Sequence, residues 1–180
     1  MKSKEMHDVF VVAGAPGAGK TEISRILARE HRASISSIAR LDSDTMYSRH
    51  DAALLEAIDL SDGDRENPAN AKYKRLAYTG LAATALENRE TTPVIVTAPF
   101  TSQIHDIDAW YNLVDELGGP QAHLVWVQTD ESTLLRNLEE RNAPRDRDKL
   151  EDFPTFKERI KLGSPPPVEH FTIDNRDRPS

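Results

Sequence analysis

The amino-acid sequence predicts an α/β domain in three layers, a mostly parallel sheet of about five strands with helices on both faces. Three observations carry that expectation. Short apolar runs rich in β-branched residues recur along the chain, as they do in strands buried on both faces. Segments with helical spacing separate them, and strands alternating with helices imply parallel pairing through right-handed crossovers. The first apolar run also passes through a glycine-rich turn directly into the first helical segment.

Val9-Phe10-Val11-Val12-Ala13 is the first strand. Ile23, Ile26 and Leu27 then recur at helical spacing among Glu22, Arg25, Arg29 and Glu30. A second, weaker strand spans 35–41 and leads to Asp42. Residues 59–66 are polar and turn-forming. Asn67-Pro68 opens a long helix to about Asn88, with Asn as cap and Pro in the first turn. Its shared face is expected to carry Tyr73, Leu76, Ala77, Gly80, Leu81 and Thr84. Strands follow at 93–98 and 122–127, then a helix from about Asp130 to Arg141 with Leu134, Leu135 and Leu138 inward. Gly163-Ser164-Pro165-Pro166-Pro167 is a stiff connection into a short last strand at 171–173, and 175–180 reads as a frayed tail. There is no internal repeat, and one domain over 1–180 is expected.

With 180 residues, 38% hydrophobic and 29% charged, the chain suits a globular fold with a substantial core. No apolar run approaches the roughly 20 residues that span a bilayer. Residues 1–8 lack the apolar core of a signal peptide, and a cytoplasmic protein is expected. The absence of cysteine excludes disulfides, a thiolate nucleophile and a zinc–sulfur site. A net charge of −7 gives no global basic field for DNA or an anionic membrane, so neither is an expected partner.

The turn after the first strand, Gly14-Ala15-Pro16-Gly17-Ala18-Gly19-Lys20-Thr21, spells G-x-x-x-x-G-K-T. Between a strand and a helix, such a turn wraps backbone N–H groups around a polyphosphate, and the helix N-terminus faces its charge. Lys20 would reach the β- and γ-phosphates, and the Thr21 hydroxyl would ligate Mg²⁺. A nucleoside triphosphate is the expected ligand. No Asn-Lys-x-Asp guanine reader occurs, which favours ATP.

Ligands on parallel sheets bind beyond the carboxyl ends of the strands, so residues there are the next candidates. Asp42 and Asp44 follow the second strand. Either could align an acceptor hydroxyl and take its proton, and either could simply cap a helix starting near Thr45. Arg136, Arg141, Arg145 and Arg147, with Lys149, form the densest basic cluster. Guanidinium groups neutralise charge spreading over transferring phosphoryl oxygens. Alternatively, Glu139, Glu140, Asp146 and Asp148 could pair with them at a solvated helix end. Thr97 ends the third strand where many phosphate-loop proteins place a metal-holding Asp, and Asp42 is the candidate to supply that charge. His105-Asp106 falls in a candidate acceptor loop, while Trp110, Tyr111 and Trp126 read as core or helix-packing residues.

On these residues the chain resembles the small kinase-like P-loop proteins of the AAA family ATPase and small-molecule kinase group. Their relatives include gluconate kinase, chloramphenicol phosphotransferase, zeta toxin and the kinase domain of polynucleotide kinase. The likeness covers most of the chain. It takes in Gly14–Thr21, Asp44-Thr45-Met46, the Val94–Phe100 strand with its Ala-Pro-Phe ending, Arg141-Asn142-Ala143-Pro144-Arg145-Asp146, Pro165-Pro166-Pro167-Val168 and Ile173-Asp174-Asn175. The resemblance implies a P-loop NTPase fold with a short arginine-bearing lid at about 141–150. It makes Asp44 the acceptor-orienting base, sets Arg141 and Arg145 on a lid that closes over ATP, and runs the proline segment near the adenine. The nearest subfamily carries an Asp before Ala-Pro-Phe, where this chain has Thr97.

The expected function is transfer of the γ-phosphate of ATP, with Mg²⁺, to a hydroxyl of a small molecule. A nucleotide-binding regulator or ATPase with no acceptor is one alternative. A nucleic-acid 5′-kinase is another, opposed by the −7 charge and the lack of an aromatic–basic groove.

Overall fold

The protein is described by a computed structural model at residues 6–34, 37–46, 68–143 and 146–176. Five parallel strands form one sheet in the order β2-β3-β1-β4-β5. They are β1 (Val9–Ala13), β2 (Ala39–Asp42), β3 (Val94–Thr97), β4 (Ala122–Gln128) and β5 (His170–Asp174). The helices are α1 (Lys20–Ser34), α2 (Pro68–Asn88), α3 (Thr101–Ile104), α4 (Ile107–Glu116), α5 (Glu131–Arg141), α6 (Arg147–Glu151) and α7 (Phe153–Arg159).

β1 lies centrally because its Val residues can be covered from both sides, and successive side chains alternate between two cores. Val9, Val11 and Ala13 meet Leu81, Ala85, Trp110, Leu113 and Leu117 from α2 and α4 and its end. Val12 joins Ile95, Val125 and Val127 against Ala28, Leu134, Leu138, Phe153 and Phe156 from α1, α5 and α7. Helices therefore cover both faces, which makes the fold the three-layer α/β arrangement expected from the sequence. At the amino edge of the sheet, fully buried Arg89 donates to His7 O at 2.9 Å, Leu117 O at 2.6 Å and Gln121 Oε1 at 2.9 Å. One guanidinium thus ties together three segments, reinforcing the backbone bonds from His7 N to Arg89 O and from Val9 N to Gln121 O. Among the described residues no helix is long and apolar enough to cross a membrane.

Two details differ from the sequence expectation. β2 begins at Ala39, not at 35, with Ile35 and Ser36 outside the described residues. Its ladder starts where Ala39 N meets Pro93 O and continues opposite Val94, because Pro93 has no N–H to extend the pairing. On α2 the inward face runs through Tyr78, Leu81, Ala82 and Ala85, while Leu76 is exposed. The alanines of that helix leave several faces almost equally apolar, so spacing alone did not select one. Between β3 and β4 the chain forms α3 and α4, and His105-Asp106 make the turn that joins them, with Asp106 capping α4 by accepting from Ala109 N at 2.9 Å. His105 therefore sits at a helix junction. The loop at 59–66, the Asn67 cap and the side chain of Tyr73 are outside what is described.

Candidate active site

Leaving β1, the chain must turn within van der Waals reach of β4, which only glycine permits. Gly14 has φ 148°, and a Cβ there would approach Val127 O to 2.7 Å. Gly17, with φ 96°, lies against Leu134 and Leu138 of α5, where a Cβ would come within 2.9 Å of Leu134 Cδ1. Two asparagines fasten the loop from outside: Asn137 donates to Gly17 O and Asn175 to Ala18 O, each at 2.9 Å. Sequence reading assigned neither residue this task. Asn137 stands as a polar residue between inward leucines, which is a weak signal, and Asn175 follows β5 directly.

Lys20 opens α1 and is buried, with Nζ donating to Ala15 O at 2.8 Å. Burial pulls its pKa from 10.5 down to about 8; Asp44 and, less strongly, Asp42 oppose that, while Arg141 and Lys149 add to it. Two carboxylates and two further cations from separate parts of the chain are thus near enough to act on the Lys20 ammonium.

Asp42 ends β2 with 3% of its surface exposed. One oxygen accepts from the Thr21 hydroxyl at 2.9 Å and lies 3.4 Å from Arg40, and the other accepts from Thr45 N at 3.2 Å. It both caps the turn after β2 and holds the last residue of the glycine motif. Asp44 is exposed, and its charge acts on Lys20. Thr97 sits between Val12 and Asp42 in the strand register, and its buried hydroxyl has no hydrogen-bond partner among the described residues.

Beyond α5, Asp146 is completely buried and accepts from Arg141 at 2.7 Å and from Lys149. The pairing of Arg141 with an acidic neighbour was foreseen as a feature of a solvated helix end, but the carboxylate is interior. Arg136 lies on an exposed face 3.9 Å from Glu140, and Arg147 is exposed. Pro144 and Arg145 fall outside the described residues.

Oxygen donors from Thr21 and Asp42 meet the needs of a hard divalent cation, which takes one or two carboxylates and completes its shell with water and substrate phosphates. No cluster of three or more His, Cys, Asp or Glu occurs among the described residues, so the donor set suits that shared mode and not a closed protein cage.

A family model described as an AAA domain matches residues 9–162. No curated protein matches the sequence. Among solved structures, an unliganded sugar kinase from Janibacter sp. HTCC2649 is similar with TM-score 0.61 and 16% identity, covering 94% of this chain and 86% of its own. Shikimate kinase from Acinetobacter baumannii in complex with shikimate gives TM-score 0.52 at 18% identity, with 93% and 83% covered. Shikimate kinase from Bacteroides thetaiotaomicron gives TM-score 0.50 at 18% identity, with 87% and 80% covered. The shared feature at these identities is the fold, a P-loop kinase-like α/β sheet.

Proposed function

Because the chain belongs to the AAA domain family, we propose that it is a phosphotransferase that moves the γ-phosphate of ATP to a hydroxyl of a small molecule. The observation that carries this reading is that the charges of Asp44, Arg141, Asp42 and Lys149, from separate parts of the chain, all act on the buried ammonium of Lys20. A binding loop alone needs no exposed carboxylate and no arginine within electrostatic reach of its lysine. Phosphoryl transfer to an alcohol uses both.

In this reading the main-chain amides of 14–21 surround the β- and γ-phosphates. Lys20 exchanges Ala15 O for phosphate oxygens, whose negative charge holds it in its ammonium form. Asp44 accepts the proton of the acceptor hydroxyl as its oxygen forms the new bond to phosphorus. The bond from phosphorus to the β-bridging oxygen breaks, and ADP leaves with that electron pair. Arg141, with Arg145, offsets charge on the equatorial oxygens. Mg²⁺, held through Thr21 with Asp42 behind it, would neutralise charge on the triphosphate. Thr97, lacking a charge, leaves Asp42 as the carboxylate for that purpose. A cytoplasmic location and a small-molecule partner are part of the same proposal.

One observation favours a second reading, a nucleotide-binding regulator that phosphorylates nothing: the uncharged Thr97 at the end of β3. Incubating the purified protein with γ-labelled ATP and a pool of small metabolites separates the two. The kinase reading expects label in an organic product and its loss in Lys20→Ala. Release of labelled inorganic phosphate alone, with no organic product, would favour the regulator. No association with any magnesium nucleotide would remove both.

A further inference from the structure

Beyond the carboxyl ends of β1 and β4, a small cavity adjoins the phosphate loop on the side of α3. Ala15, Thr101, His105, Trp126, Thr129 and Lys161 are among its lining residues. No aspartate or glutamate lines it. Ala15 belongs both to this wall and to the loop, where its carbonyl holds Lys20.

Two features of the wall stand out. Thr129 is 4% exposed, yet its hydroxyl has no hydrogen-bond partner among the described residues. A buried hydroxyl left in that state costs free energy that a ligand oxygen would recover. Lys161 is the second. The end of α7 closes with Lys161 N bonded to Glu158 O and Leu162 N bonded to Lys157 O, the paired bonds of a motif whose left-handed position is usually glycine. Here that position is Lys161, with φ 49°. Strained backbone of this kind persists where the surroundings hold it and often marks a functional position. No ion pair to Lys161 occurs among the described residues. His105, close enough to respond to the lysine's charge, is held toward its neutral form first by burial and then by Lys161.

We propose that this cavity anchors an anionic group of the phosphate acceptor, a carboxylate or a phosphate, bound by Lys161 with hydrogen bonds from His105 and Thr129. The acceptor is then a small acidic molecule that carries a hydroxyl: a hydroxy acid or an already phosphorylated alcohol. The idea rests on the phosphotransfer reading, and it narrows the substrate to a charge class. Ala15 lines the cavity and its carbonyl accepts from Lys20, so an anion held there would lie next to the phosphate loop.

The test uses the full chain at pH 7, saturated with MgADP so that the phosphate loop is occupied. Sodium acetate or inorganic phosphate replaces sodium chloride at constant ionic strength, and the His105 ring resonances are followed by NMR, assigned with His105→Gln. A saturable shift is expected with at least one anion. Acetate alone indicates a carboxylate acceptor, and phosphate alone a phosphorylated one. In Lys161→Gly the anion affinity should fall at least tenfold while Tm rises, because the left-handed backbone is relieved, and MgADP affinity stays the same. Absence of a saturable shift with either anion, or an equal shift in Lys161→Gly, overturns the proposal. A protein that fails to bind MgADP instead refutes the phosphotransfer reading. The same titration without nucleotide, judged by its dependence on Lys161, still decides whether the cavity takes anions.

Discussion

Lys20→Met should leave a more stable and inactive protein, and the gain should depend on pH in a defined direction. Burial lowers the Lys20 pKa from 10.5 to about 8. At 1.36 kcal/mol per pH unit, holding the charged lysine in the fold costs about 3 kcal/mol below pH 8. Methionine keeps the length of the side chain and removes the charge. The hydrogen bond to Ala15 O is lost, a contribution of about 1.5 kcal/mol for a charged donor. The net expectation at pH 7 is stabilisation by roughly 1–2 kcal/mol, a few degrees in Tm for a chain of this size. Because the folded pKa lies below the unfolded one, the unfolded state binds more protons between pH 8 and 10.5. Wild-type stability therefore rises relative to the variant across that window, and the variant's advantage is complete below about 8 and fades toward 10.5. Urea melts of both proteins from pH 7 to 10.5 measure this directly. The same linkage predicts proton uptake when a triphosphate binds near pH 8 to 9, visible as a buffer-dependent heat of binding. A variant less stable than wild type at pH 7, or an advantage that stays constant with pH, would refute the argument.

Two further substitutions test the supports of the site. Asp146→Asn removes the buried carboxylate that holds Arg141 and Lys149. It should lower turnover at least tenfold, about 1.4 kcal/mol of barrier, and destabilise the fold by about 3 kcal/mol, read from kcat and from denaturant melts. Arg89→Met strips the amino edge of the sheet of the donors to His7, Leu117 and Gln121. Stability should fall by about 3 kcal/mol with Kd for MgATP unchanged, since the loop lies at the opposite end of the strands; weakened nucleotide binding in a fully folded sample would contradict this.

The glycine motif was legible because everything it needs is contiguous: a buried strand, a turn that only glycine can make, and a helix that begins with Lys20 and Thr21. The sheet was legible for a related reason, since alternation of apolar runs with helical spacing is a local pattern. Boundaries and faces were less so. β2 starts where Pro93 of its neighbour allows a hydrogen bond, and the inward face of α2 depends on which of its alanines meets β3. Asp42 stood open between capping and chemistry when only spacing was known. In the fold it caps the following turn and also accepts from the Thr21 hydroxyl.

By itself, the sequence determined that the chain forms a parallel α/β sheet with a loop shaped for phosphate, because sterics, periodicity and turn chemistry act between near neighbours. Only the tertiary structure decided which charges face Lys20, that Asp146 is interior, and that Lys161 and Thr129 share a cavity with Ala15. Those meetings join residues far apart in the chain, and strand order and helix packing, not local propensity, bring them within range.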